Sequence, residues 1–524
     1  MTFVAPAARG RAPRVPPVVK RVAPLAALGL VSIAVDLLAF LRPFPLAEWW
    51  QYARLDYAWL TQYELIGQVR FLAAFALLFA LYQWAFLHLR QRPADGPLGL
   101  ILVVQLGLGL ALVGIYPVAA LDVFDYLLYG RLGLYWGANP LAHPPSQYPA
   151  EPMVSYSYWP NEPSVYGPLW QLVSQWVTGV VDGQLPDGLY AFKLLAVGAS
   201  LLTTVLIWAT LRRLRPGLAP AGALLYGWNP LQQFETAGNG HNDALMVTFL
   251  ALALLLVVRR PRALALPALS AGLLVKITLA PLVPLFALAP LLGSAPWSAR
   301  LRRLAIGLAL SASLIVLLYA PFWEGRASLP FLDRGNWFTA SPPTLLRELF
   351  RRWQEFETAG KTAATISAAL FGLVALALLA RLGLRERSAP EASAADASIR
   401  TGYHLFFAYL VLACLWWQPW YLLVLLVFAA LSGDRALADR ANLFCLGGLL
   451  SYPVFKYVWA VHQADWHLDY LKIMAISVVA IFTLPLLHLA VSVRATREPR
   501  VARGSAGPPS PAGGRRPGWW CRSG

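Results

Sequence analysis

Residues 98–126 read LGLILVVQLGLGLALVGIYPVAALDVFDY. A bilayer-spanning helix needs roughly 20 apolar residues, and 98–119 supplies them. Immediately beyond stand two carboxylates, Asp122 and Asp125, at the head of a long loop rich in Tyr, Trp, Pro and Asn. Ionisable groups at membrane depth are costly and tend to mark function. The stretch therefore predicts a transmembrane helix that delivers an acidic pair to the rim of a membrane protein.

The rest of the chain has the same character. Of 524 residues, 58% are hydrophobic and 13% are charged, whereas a soluble protein carries about a quarter charged residues. Further apolar runs lie at 22–41, 66–89, 188–211, 219–234, 241–258, 263–275, 279–292, 304–322, 362–382, 402–417, 420–431, 441–458 and 470–493. Several are short, and the pair 263–292, interrupted near Lys276 and Pro281, reads as a hairpin of half-length helices. The expected fold is all-α, a polytopic transmembrane bundle of about 12–14 spans with outer-face loops and interfacial helices. Residues 1–21 read as a basic, Pro-rich cytosolic tail without a cleavable signal, 22–493 as the membrane domain, and 494–524 as a second disordered cytosolic tail. No internal repeat is visible.

The net charge of +17 does not indicate nucleic acid, because the Lys and Arg cluster beside apolar runs and form no stripe on a soluble domain. The positive-inside rule accounts for them. Basic groups around Arg21, Arg90, Arg212, Arg259, Arg300, Arg385, Arg435 and Arg494 fall on one side, taken as cytosolic. The loops 120–187 and 323–361 then fall outside. The first carries a single Arg, Arg131. The second carries Arg326, Arg334, Arg347, Arg351 and Arg352, and its apolar residues from Leu345 to Phe356 recur at helical spacing, as on an interfacial amphipathic helix. Residues 164–181 are long enough to cross, but crossing would break the charge pattern, so they read as a re-entrant or surface-lying helix. Three scattered Cys (Cys414, Cys445, Cys521) support neither a disulfide framework nor a zinc site.

Asp122 and Asp125, three apart, share a helical face. One could act as a general base while the other steers it, raises its pKa or helps hold a divalent cation; two solvated acids on a wet interfacial helix would look the same. A second polar group runs from Trp228-Asn-Pro230 through Glu235 to Asn239-Gly-His-Asn-Asp243. Asn239 and Asn242 can bond sugar hydroxyls, and His241 and Asp243 can bind phosphate or metal. Capping of the next helix explains Asn242 or Asp243 in part, but it does not call for His241 and Glu235. Lys276, at the tip of the broken hairpin, can grip a lipid phosphate as a point charge. Lys193 reads as snorkelling to headgroups. Arg326 and Arg334 are weaker candidates for the same role. His462, Asp465 and His467 fit no zinc spacing and read as a wet loop; an aromatic sugar platform by Trp459 and Trp466 is the alternative. The Trp416–Tyr421 corner serves equally as a sugar platform or an aromatic belt.

Taken in order, Asp122-Val-Phe-Asp-Tyr126 with Gly130, Gly137-Ala-Asn-Pro140, Val165-Tyr-Gly-Pro-Leu169, Trp228-Asn-Pro230, Asn239-Gly-His-Asn-Asp-Ala-Leu-Met246, Leu274-Val-Lys276 and Trp420-Tyr421 resemble the GT-C superfamily of integral-membrane glycosyltransferases. The likeness is strongest to bacterial polyprenyl-phosphate-mannose-dependent α-mannosyltransferases. It implies a catalytic acid at Asp122, a second acid at Asp125 that such relatives need not share, and a donor site formed by Tyr166, Glu235, Asn239, His241, Asn242, Asp243 and Lys276. It implies an inverting transfer of a sugar, mannose above all, from a polyprenyl-phosphate donor to a glycan or glycolipid acceptor on the outer face of a bacterial cytoplasmic membrane. A divalent metal stays open as a helper, and no other cofactor is expected. Two alternatives stand beside this reading: a lipid-linked sugar flippase, against which the rim position of the polar residues and the lack of a repeat count, and a protein O-mannosyltransferase or O-antigen-ligase-like enzyme.

Overall fold

The structure, a computed structural model, describes residues 17–259, 262–335, 337–459, 467 and 469–497. The far tails, together with His462, Asp465 and Trp466, lie outside the described residues. Within them the chain is helical, with no strand beyond one isolated bridge between Pro45 and Ile115. Among the described residues, six helices are long and apolar enough to cross a membrane: Arg21–Leu41, Leu65–Gln91, Leu185–Leu214, Trp297–Phe322, Phe356–Glu386 and Tyr470–Arg494. Shorter apolar helices run between them, including Leu98–Val113, Asp243–Val258, Arg262–Val275 and Pro419–Ser432. The chain is an all-α polytopic membrane bundle. Its first helix begins at Pro17, ahead of the expected boundary at residue 22.

Several expected spans are shorter or broken, each for a local reason. The run 98–119 is helical only over Leu98–Val113. Gly114 and Pro117 follow, and neither favours helix continuation. Beyond the break, Leu46 N–H donates to the Gly114 carbonyl at 2.7 Å and Tyr57 N–H to the Val118 carbonyl at 2.9 Å. The run 219–234 is not one helix. It stops at Gly227, and Asn229 caps a new turn, its Oδ1 accepting from the backbone of Leu231 and Gln232 at 3.0 and 3.2 Å. Pro230 is preorganised for that first turn. A π-turn over Phe234–Gly238 follows, and Gly240 takes φ +78°, a left-handed conformation that glycine adopts without a Cβ penalty. The hairpin 263–292 is broken where expected: Lys276 is extended, between the helix Ala265–Val275 and a 3₁₀ segment Ile277–Leu282.

The segment 164–181 forms a helix of 13 residues, Pro168–Val180, too short to cross. It packs on Asp122–Tyr135 through Gly130, where a Cβ would lie 2.1 Å from Thr178 Oγ1 and 2.5 Å from the Ser174 carbonyl oxygen. In the second large loop the helix Pro342–Phe350 forms, with Leu349, Trp353 and Phe356 exposed nearby. Its charged side differs from the expected wet face. Arg347 and Glu348 are buried and paired at 2.7 Å, and the Arg347 guanidinium lies 4.7 Å from the Phe338 ring centroid. Lys193 also departs from expectation. It does not snorkel; it is fully buried, and its Nζ donates to the Ile115 carbonyl just past the broken helix end.

The loops gather at one end. Tyr156 and Tyr158 hydroxyls donate to the Gln51 and Arg54 carbonyls at 3.0 and 3.2 Å. Asn139 Nδ2 donates to the Phe322 carbonyl at 2.7 Å and to Glu324 at 2.9 Å. A different set of basic residues pairs at helix ends elsewhere: Arg215 with Asp396, Arg303 with Glu391 at 3.3 Å, and Arg400 with Asp434 at 3.4 Å. Cys414 and Cys445 are buried and free. Because the partners of Gly130 include backbone, Gly130→Val should overpack this contact and cost about 1–3 kcal/mol. The check is the melting temperature of the detergent-solubilised protein; an unchanged value would contradict the close packing.

Candidate active site

Asp122 opens the helix Asp122–Tyr135, where the helix dipole favours negative charge. It is half-buried, and its Oδ1 accepts a hydrogen bond from the Tyr166 hydroxyl at 2.5 Å. Tyr166 reaches it because the chain passes very close to the broken hairpin. Gly167 N–H donates to the Val275 carbonyl at 2.9 Å, and a Cβ on Gly167 would lie 2.2 Å from the Leu274 carbonyl oxygen. Only glycine permits that approach. It sets Tyr166 beside Lys276, whose Nζ lies 5.6 Å from the Tyr166 ring centroid.

Lys276 is buried, and its Nζ donates to Asp243 Oδ2 at 2.5 Å. Trp420 and Tyr421 complete an aromatic wall, each with its ring centroid 5.5 Å from the ammonium. His241 stacks on Trp420, with ring centroids 3.8 Å apart and planes inclined by 28°. Glu235 lies behind. It accepts from Asn239 Nδ2 at 2.9 Å and from the Tyr452 hydroxyl at 2.8 Å, and its Oε2 stands 3.4 Å from His241 Nε2. Tyr126 joins the two sequence clusters: its hydroxyl accepts from Asn242 N–H at 3.3 Å, and its ring meets Tyr166 edge-on at 5.0 Å.

The structure thus brings Asp122, Tyr166, Glu235, Asn239, His241, Asn242, Asp243 and Lys276 to one place. Asn242 occupies the cap position of the helix Asp243–Val258 but makes no side-chain cap. Both its amide atoms, both ring nitrogens of His241 and Oδ1 of Asp243 are buried without a hydrogen-bond partner. Buried polar atoms are normally satisfied. These five atoms fall on three consecutive residues beside an ammonium, and His241 Nε2 has the Glu235 carboxylate 3.4 Å away. Among the described residues no three His, Cys, Asp or Glu side chains converge as a cation site. Asp122 is engaged by Tyr166 and Asp243 by Lys276.

Asp125 sits apart. It is buried, with Oδ1 unpartnered. Burial, then the neighbouring Asp122 charge, push its carboxyl up from 3.8 to about 7, against a hydrogen bond from Ser157 and the charge of Arg54. Arg326 pairs with Asp333 on the surface at 2.6 Å. Arg334 lies nearer the site, bonding the Pro163 carbonyl at 2.9 Å and packing 4.2 Å from the Trp337 ring centroid. His467 is described, but its expected neighbours are not. Tyr452 was invisible to sequence reading, since nothing local ties it to Glu235. Trp420 and Tyr421 were visible as aromatics at a corner and as one motif of the resemblance, but their place beside Lys276 was not.

Residues 23–291 match the family described as alpha-(1->6)-mannopyranosyltransferase, N-terminal domain. One similar protein is alpha-(1->6)-mannopyranosyltransferase A of Corynebacterium glutamicum, 29% identical over 166 residues, which is 31% of this chain and 33% of that protein. The chain therefore matches about a third of that relative's length. No solved structure matches the chain.

A raised carboxyl pKa has a definite sign in stability. Between 3.8 and about 7 the folded protein holds the Asp125 proton while the unfolded chain has released it. Folded stability from this group is therefore full below that window and lost as pH rises through it. Asp125→Asn should flatten that fall and melt above the wild type beyond pH ~7, with little difference in acid. Parallel melting curves across the window would contradict the burial of this acid.

Proposed function

This chain belongs to the alpha-(1->6)-mannopyranosyltransferase family, and on that premise we propose that it transfers a mannosyl group, with inversion, from a polyprenyl-phosphate donor to a glycan or glycolipid hydroxyl. The reading places the site on the outer face of a bacterial cytoplasmic membrane, with both chain ends in the cytosol. The observation that carries it is the position of Tyr166, which bonds the carboxylate of Asp122 and lies against the ammonium of Lys276. A base and a phosphate-binding cation thus flank one side chain.

In the proposed reaction Asp122 accepts the proton of the acceptor hydroxyl. That oxygen attacks the anomeric carbon on the face opposite phosphate. The bond from the anomeric carbon to the phosphate oxygen breaks, and its electron pair leaves with the phosphate. Lys276 meets the charge that builds there, in a site dry enough for one ammonium to count heavily. Asp243 holds Lys276 in position, and His241, Asn242, Asn239 and Glu235 orient the sugar. A single base suffices because phosphate leaves without an acid, unlike the leaving alcohol of glycoside hydrolysis, where two carboxylates are used.

Purified protein, a panel of polyprenyl-phosphate sugars and mass spectrometry of the products test the reading. Asp122→Asn should insert and melt as the wild type does, with transfer down by about 10²–10⁴-fold. Near-normal transfer would overturn the base assignment. Tyr166→Phe removes the hydroxyl that bonds Asp122 and should lower transfer by roughly tenfold with donor binding kept. Flux of lipid-linked sugar across liposomes without a glycosidic product would overturn transferase activity itself.

A further inference from the structure

Arg42 and Arg70 fit neither the charge pattern nor the candidate active site. Arg42 follows the first long helix, and Arg70 lies near the start of the helix Leu65–Gln91, next to a loop that hydrogen-bonds the large loop 120–187. The positive-inside rule disfavours basic residues at that end. Both are exposed, and no ion pair engages either among the described residues. They line one open groove of about 960 Å³ between the ends of the first two long helices. Its walls include Val35, Leu38, Ala39, Ile66 and Ala73, and Gln62 and Glu64 stand at its rim. Leu38 is 65% exposed and Ile66 49%, on helices long enough to span, so the groove opens toward lipid.

The groove is separate from the candidate active site. Tyr57 forms its inner wall and packs against Phe71 at 4.8 Å and Phe44 at 5.2 Å. Behind them lie Tyr452 and Ala119, the groups that bond Glu235 and Asn239. A phosphate here would not be the one facing Lys276.

We propose that this groove binds an anionic diacyl phospholipid of the surrounding leaflet, with the phosphate between Arg42 and Arg70 and an acyl chain along Leu38, Ala39 and Ala73. Two guanidinium groups against one carboxylate leave the rim net positive, and guanidinium forks match phosphate oxygens in pairs. Gln62 and Glu64 can bond the hydroxyls of a glycerol headgroup. The volume suits a ligand-sized occupant, and the apolar walls suit a lipid over free phosphate.

The test is native mass spectrometry of the full-length protein, delipidated in detergent and titrated with phosphatidylglycerol, phosphatidylethanolamine or undecaprenyl phosphate. The wild type should retain one phosphatidylglycerol in preference to the other two. Arg42→Ala with Arg70→Ala should lower that retention about tenfold. Ala73→Trp, which fills the groove and keeps both charges, should lower it as well. Arg326→Ala, on an exposed loop outside the groove, should not. Unchanged retention in the double variant or in Ala73→Trp, an equal loss in Arg326→Ala, or equal retention of either competing lipid would overturn the proposal. The readout is lipid bound, not sugar moved, so its failure leaves the proposed reaction untouched.

Discussion

The buried pair of Lys276 and Asp243 constrains everything near it. Both charges lie at the ends of short helices inside an apolar bundle. Removing one partner from such a pair costs about 3–5 kcal/mol, because the other charge is left without compensation in a dry place. The surroundings are arranged to make the pair tolerable: Tyr166, Trp420 and Tyr421 face the ammonium, and Gly167 lets the Tyr166 segment come within backbone contact of Leu274. Replacing the pair by apolar residues would be easier on the fold. Keeping it places a cation at a fixed point, which suits a ligand that carries phosphate.

The irregular backbone has the same logic. Non-helical backbone at membrane depth is tolerated where protein surrounds it. Here the breaks at Trp228, at Gly240 and at Lys276 are buried, and each has partners: Asn229 caps one turn, the π-turn hands Glu235 to Asn239 and Tyr452, and the Lys276 amide returns to Gly272 at 3.0 Å. Lys193 does comparable work at the end of Leu98–Val113, supplying a donor to the Ile115 carbonyl. Each break frees side chains that a continuous helix would have kept in register.

Hydropathy made the membrane bundle legible, because long apolar runs have few other physical outcomes. The break at Lys276 was legible too, since a Lys and a Pro interrupt one apolar stretch. The breaks in 98–119 and 219–234 were not, because a hydropathy window weighs composition and is blind to where a Pro or Asn ends a turn. For the site, Asp122 and the Asn239–Asp243 run stood out as polar residues at the margin of lipid-soluble segments. Their meeting through Tyr126 and Tyr166 depends on contacts between residues 44 to 116 positions apart, which no local pattern encodes. The burial of Asp125 and of the Arg347–Glu348 pair was not legible for a related reason: charged residues in loops usually meet water, and here neighbouring segments cover them.

The most direct measurement separates the ion pair's structural part from its part in chemistry. In the double variant Lys276→Met with Asp243→Leu no buried charge is left unpaired, so the protein should insert, purify and melt near the wild type. Sugar transfer from a polyprenyl-phosphate donor should then be abolished and donor binding weakened. A double variant that transfers mannose at the wild-type rate would contradict the assignment of this ammonium to the departing phosphate.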